Sequence, residues 1–164
     1  MTKSLNTFRS LLLGGWIGAA IFFSATVAPA TFGVLRANEV PSSGEIAGQI
    51  VNISLRAVNV SGFVIAVVSL LCAFPLRSVY SRPAFLFQTV LLGLVALATG
   101  VGQWIIAARM HSLRLAMGRP MDQVPATDPD RMAFSALHGY SVVALSIAII
   151  AGAIAFFVIA RRKD

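Results

Sequence analysis

The chain is 164 residues long, 57% hydrophobic and 12% charged, with a mean hydropathy of +0.83; soluble domains run about 45–50% apolar and about 25% charged. That composition excludes a soluble globular domain. The formal charge of +7, from 13 Lys and Arg against 6 Asp and Glu, does not mark a nucleic-acid binder, because the cations stand singly at the ends of apolar runs, with Arg161-Arg162-Lys163 as the exception.

Four charge-free runs dominate the sequence: Ser10 to Leu35, Ala57 to Leu76, Pro83 to Ala108 and Met132 to Ala160. Each reaches the roughly 20 residues that a helix needs to cross a hydrocarbon core of about 30 Å. The expectation is an all-α, integral membrane four-helix bundle in one domain, residues 1–164, with spans at about 10–35, 57–76, 83–108 and 139–160. The lone cysteine, Cys72, lies in the second run and excludes an internal disulfide.

The first run ends in Ala28-Pro29-Ala30, which resembles a secretory cleavage site. It reads instead as a span, because its apolar stretch exceeds the usual signal core of about 7–15 residues and continues through Phe32 and Leu35. Pro29 removes one helical hydrogen bond and predicts a kink near Ala25, with Ser24, Thr26 or Thr31 available to satisfy the freed groups. Gly14 and Gly18 here, with Ala148 and Gly152 in the fourth run, give small residues at four-residue spacing, a pattern that lets helices pack closely in lipid.

The second helix is predicted to begin outside the membrane, where Ser42-Ser43-Gly44-Glu45 fits a capping box ahead of Ile46, Ile50 and Ile53. A tight turn from Arg77 to Arg82 makes helices two and three antiparallel neighbours, with Ser81 as a cap and Pro83 in the first turn of helix three. Helix three continues past Ala108 to Met117, where Gly118 and Pro120 supply a stop. Helix four starts at Thr127 or Asp128, with Pro129 in its first turn. The bundle should therefore carry helix extensions at the end that holds residues 36–56 and 109–131.

Lys3, Arg9, Arg77, Arg82, Arg161, Arg162 and Lys163 fall at the other end, together with the termini, and five of the six acidic residues fall at the extension end. The balance predicts cytoplasmic termini, extensions on the non-cytoplasmic side, and a multi-pass protein of the cell inner (plasma) membrane.

No Walker loop, HExxH, CxxC or GxSxG motif occurs, and no charged residue lies within an apolar run. An ion carrier needs such a group at mid-membrane to hold its cargo. The uncharged polar residues within the spans (Asn59, Ser61, Gln88, Thr89, Thr99, Gln103) read as hydrogen bonds between helices. A non-enzymatic protein results: a structural or accessory subunit that packs against the lipid bilayer and other membrane protein subunits, without nucleic acid.

The alternative lies at the extension end. His111 and His138 fall at the same interface, among Met110, Met117, Met121 and Met132. Imidazole and thioether suit copper, so metal handling through His111, His138, Met110 and Met132 is the second reading, with a haem between the two histidines behind it. Arg36, Glu39, Glu45, Arg109 and Arg114 are expected to form an outer polar cluster, with Arg114 or Arg109 paired to Glu39 or Glu45. A Ser141–His138 nucleophile is more distant still, for want of an orienting carboxylate nearby in sequence.

Several of these residues form a familiar pattern. Gly15-Trp16-Ile17-Gly18, Phe22-Phe23, Ala28-Pro29-Ala30, Phe32, Gly44-Glu45, Arg109, His111-Ser112-Leu113-Arg114 and Phe134-Ser135-Ala136-Leu137-His138-Gly139-Tyr140-Ser141 follow one another in this order. In them the chain resembles the transmembrane protein 205-like family, whose bacterial members are filed as domain of unknown function 4149. The resemblance implies a four-helix membrane fold with no assigned enzymatic activity. It carries over only Trp16, Pro29, Arg114 and His138 as motif positions. Copper-resistance membrane proteins are distantly similar in helix patterning.

Overall fold

The computed structural model describes residues 2–161. Four helices are long and apolar enough to cross a membrane: α1 (Lys3–Ala37), α2 (Ser43–Leu76), α3 (Arg82–Met117) and α4 (Pro129–Ala160). Among the described residues no strand occurs. The helices stand in a square in which α1 packs on α2 and α4, and α3 packs on the same two, leaving α1 and α3 diagonal. Leu11, Phe22, Leu71, Val90, Leu97 and Ile150 are exposed around the outside, as expected where the solvent is lipid. The cations Arg162 and Lys163, counted toward terminus orientation, lie outside the described residues.

The core is built around one indole. Trp16 donates from Nε1 to the Val58 carbonyl oxygen at 2.9 Å. Its ring lies against Gly62, where an added Cβ would stand 2.7 Å from three ring atoms, and against Gly152, where the distance would be 3.1 Å. Leu13, Ala20, Ala66, Leu92, Val95, Ala148 and Ala155 close around it. Small residues thus act here as sockets for large ones on the neighbouring helix. The expected packing role holds for Ala148 and Gly152, which are buried, and for Gly14, which meets Phe156. Gly18 has nothing within 4 Å inside the bundle: it is two residues, about 200° of helix, from both buried Trp16 and buried Ala20.

Two helices widen into π turns, α1 at Phe23–Val27 and α3 at Val101–Ile106. The first lies one turn ahead of Pro29, and the Ala28 amide reaches back to the Phe23 carbonyl oxygen. Ser24 and Thr31 donate to the carbonyls of Ala20 and Val27, so neither takes up the Ala25 carbonyl that Pro29 leaves free, and the π turn absorbs the missing bond. In the second, Gly102 faces Asn59 of α2, whose Nδ2 would lie 3.3 Å from an added Cβ.

The expected bonds between helices are mostly replaced by bonds within them. Ser61, Thr89 and Thr99 donate to the carbonyl four residues earlier, the cheapest satisfaction a hydroxyl finds in a helix. Gln88 is different: its Oε1 accepts from Arg9 Nη2 at 3.0 Å across the bundle diagonal. Arg9 is fully buried, although its place at the edge of an apolar run reads as a surface cation.

The turns at the extension end follow the sequence closely. Gly118 ends α3 at φ +61°, a conformation that glycine reaches without Cβ strain. Asp128 caps α4, accepting from the amides of Asp130 at 2.9 Å and Arg131 at 3.2 Å. Ser42 and Ser81 occupy N-cap positions without a side-chain bond, so the capping box of α2 is not formed. The Glu45 carboxylate is engaged elsewhere, by Arg114 and Gln49.

Candidate functional site

A cavity of about 350 Å³ opens at the extension end, between all four helices and the short 3-10 turn Met121–Gln123. The residues reach it by simple helical register. On α3, Ala107, Met110, His111 and Arg114 share one face, and on α4, Phe134, His138 and Ser141 do the same. From α1 come Phe32 and Arg36, and from α2 Gly44, Glu45, Gly48, Val51, Asn52 and Leu55. Both π turns lie on the membrane side of this chamber, directly ahead of its α1 and α3 contributions. Such turns re-aim the residues that follow and recur at functional sites.

Two glycines make the α2 wall. An added Cβ on Gly48 would stand 3.1 Å from Arg114 Nη2, and one on Gly44 would stand 2.9 Å from Asp122 Oδ1. A guanidinium and a carboxylate therefore lie directly on the α2 backbone, the carboxylate at the positive end of the helix dipole. Arg114 Nη1 is 3.5 Å from Glu45 Oε1, and its guanidinium carbon is 5.4 Å from the Phe134 ring centroid, within cation–π range. Its Nε is buried with no hydrogen-bond partner. On α3, one turn before Ala107, the buried Gln103 Oε1 is likewise unpartnered.

The expected outer cluster is assembled in part. Arg36, Glu45 and Arg114 line the chamber, and Arg114–Glu45 is the pair that forms. Glu39 does not join: it holds the α1–α2 turn at φ +51° and is exposed. Arg109 is exposed as well, since its register differs from the face that Ala107, Met110 and Arg114 share. Of the expected metal ligands, Met110, His111 and His138 line the chamber. Met132 is 59% exposed, because two residues of helix separate it from Phe134 and turn it to the opposite face. Among the described residues no three of His, Cys, Asp and Glu come together as a metal-binding set.

Sequence reasoning did not single out Asp122, Asn52 or Gly48, and met Phe32 and Gly44 as positions of the family pattern. The repeat Gly44-x-x-x-Gly48 directly after the α2 start was the available signal for a backbone approached closely. Ser141 also lines the chamber. Ser24, Ser61, Thr99 and Ser146 donate back to their own helices, whereas Ser141 makes no such bond and faces the chamber. No hydrogen bond among the described residues joins Ser141, His138 and Glu45 into a nucleophile–base–carboxylate relay.

Comparison with known families gives a match over residues 11–119 to the family described as "Domain of unknown function (DUF4149)". The chain belongs to this family. The matched segment carries the Trp16 core, both π turns and the α1, α2 and α3 walls of the chamber, and it ends before α4 supplies Phe134, His138 and Ser141. Neither the curated proteins nor the solved structures contain a significant match.

Proposed function

We propose that this DUF4149 protein is a non-enzymatic integral membrane protein whose extension-end chamber binds a small amphiphilic molecule at the membrane surface. The observation that carries the reading is the lining itself. A volume of about 350 Å³ falls within the range of small-molecule sites, about 300–1,000 Å³. Its wall joins an apolar side, Phe32, Val51, Leu55 and Phe134, to a polar one, Arg36, His111, Arg114 and His138.

Depth supports the same reading. Arg56 is exposed on α2, and the helix from Arg56 to Leu76 rises about 30 Å at about 1.5 Å per residue, the thickness of a hydrocarbon core. The chamber floor at Leu55 therefore falls at the boundary between acyl chains and headgroups. With cytoplasmic termini, as the charge balance predicts, the chamber faces the non-cytoplasmic side of the inner membrane. The non-enzymatic character is supported by the engagement of Glu45 with Arg114 and Gln49, which takes that carboxylate away from the role of an orienting base.

Photo-crosslinking tests the binding role. A benzophenone side chain at Leu55 should capture one small molecule of defined mass, whereas the same group at Ile53, exposed on the outside of the bundle, should capture a mixture of bulk lipids. Identical capture at both positions would refute it. An accessory-subunit role is the second reading, favoured by Gly15 and Gly18, whose face is free of contacts within the bundle and suits a helix of another protein. Its test is co-purification of a partner that Gly18→Leu releases. For copper handling the support is the shared position of Met110, His111 and His138; elemental analysis of purified protein and of His138→Ala decides it.

A further inference from the structure

We infer that the chamber's ligand carries a phosphate group, held between Arg36, Arg114 and the two histidines; this rests on the binding role proposed above and names its chemistry. The argument begins from which groups are already satisfied. Glu45 pairs with Arg114, and Asp122 lies over Gly44 at the start of α2. Glu45 is thus paired, and the exposed Asp122 carboxylate lies at the positive end of the α2 dipole without a hydrogen bond or ion pair among the described residues. The donors are open: Arg36 has no carboxylate within pairing distance among the described residues, Arg114 Nε is buried without a partner, and His111, His138 and Ser141 face the same volume with no hydrogen bond among the described residues. Open N–H donors on Arg36, His111 and His138, beside the Arg114 guanidinium, gather in one chamber, and such a set favours an anion.

Geometry selects among anions. The open donors arrive from three helices, Arg36 on α1, Arg114 and His111 on α3, and His138 and Ser141 on α4. A planar carboxylate offers two oxygens in one plane and is satisfied by a single guanidinium fork, as Glu45 partly is already. A tetrahedral oxyanion offers oxygens in several directions and fits donors that converge from several helices. The apolar wall of Phe32, Val51 and Leu55 continues from this point, and the depth worked out above places the donors at headgroup level, where lipid phosphates lie and basic pockets between helices bind them. The phosphate can be that of a lipid headgroup or a free anion, and the experiment separates the two.

Purified protein in a neutral detergent is titrated with radiolabelled inorganic phosphate, with short-chain phosphatidic acid and with short-chain phosphatidylcholine, in separate series. Saturable binding of phosphatidic acid, at least tenfold tighter than phosphatidylcholine, is the expected result for a headgroup. Saturable binding of inorganic phosphate, displaced by phosphatidic acid, is the expected result for a free anion. In either case Arg36→Gln and Arg114→Gln should each weaken binding about tenfold or more, the effect of losing one charge-assisted hydrogen bond. Arg109→Gln, outside the chamber, should leave it unchanged. Arg36 is exposed, so its variant keeps the test valid even if loss of the Arg114–Glu45 pair impairs folding. Equal binding of both lipids, insensitive to Arg36→Gln, would overturn the phosphate assignment and leave the amphiphile chamber standing. Binding of none of the three, together with identical photo-capture at Leu55 and Ile53, would overturn both.

Discussion

Replacing Gly62 by alanine puts the core of the bundle under a defined load. The new Cβ would stand 2.7 Å from Trp16 Cε2, Cζ2 and Nε1, where carbon atoms in favourable contact lie about 3.5–4.0 Å apart. The indole must retreat by about 1 Å, and it has nowhere to go: its far edge rests on Gly152, and its Nε1–H is bonded to Val58 on the same helix as Gly62. Overpacking of this kind costs about 1–3 kcal/mol, and breaking the indole bond adds about 0.5–1.5 kcal/mol, so Gly62→Ala should destabilise by roughly 2–4 kcal/mol. Equilibrium unfolding in mixed micelles of increasing denaturing detergent measures it. Gly18→Ala, with open space around it, is the matched control and should differ from wild type by no more than about 0.5 kcal/mol. Trp16→Phe should relieve part of the Gly62→Ala cost in the double variant, because the smaller ring vacates the contacted edge. Full stability in Gly62→Ala would refute the claim that the Trp16 indole is fixed between two glycine sockets.

Two other substitution pairs follow from the hydrogen-bond pattern. Arg9 is buried, with Nη2 on Gln88 and Nη1 on Asn6 at 3.3 Å. Removing the acceptor leaves the charge less compensated, whereas removing the charge does not. Gln88→Leu should therefore cost about 1.5–3 kcal/mol, and Arg9→Met, which leaves the buried Gln88 Oε1 unpartnered, about 1–3 kcal/mol; in the same unfolding assay the double variant should cost less than the sum of the two, and strict additivity would contradict the reading. At the helix starts, Asp128→Ala removes a side chain that accepts two amides and should cost about 0.5–2 kcal/mol. Ser42→Ala removes a cap residue that makes no side-chain bond and should be close to neutral. Ser42→Gly should stabilise slightly, because the residue stands at φ +55°.

The spans were legible because a charge-free run long enough to cross the bilayer has few alternatives in a chain of this composition. The stops and starts were legible where one residue decides them alone, as Gly118 and Asp128 do. The α2 capping box failed because two partners compete for one side chain: Glu45 could reach back to its own helix start or across to Arg114, and the guanidinium holds it. The sequence offered both partners for Glu45, and only the fold decides between them. Burial of Arg9 was hidden for the same reason, since its acceptor Gln88 comes from the diagonal helix.

The site shows the same division. The histidines and Arg114 could be placed at one end from their distance along each helix, but the face they occupy depends on where each helix starts and on π turns that shift the register by one residue. Met132 and Arg109 sit at the right depth and on the wrong side. Asp122 lies in a connection that sequence reads only as polar, and it became a wall of the chamber because Gly44 leaves room for it on the α2 backbone.

The most direct test of the ligand-binding chamber is native mass spectrometry of the protein released from its own membrane in a mild detergent, beside the variant Ala107→Phe, which fills the chamber floor without touching a charged residue. The account predicts one retained adduct on the wild-type protein at close to unit stoichiometry, absent from Ala107→Phe while the variant unfolds at the same detergent concentration. A wild-type protein that flies bare, or an adduct retained equally by both proteins, would contradict it.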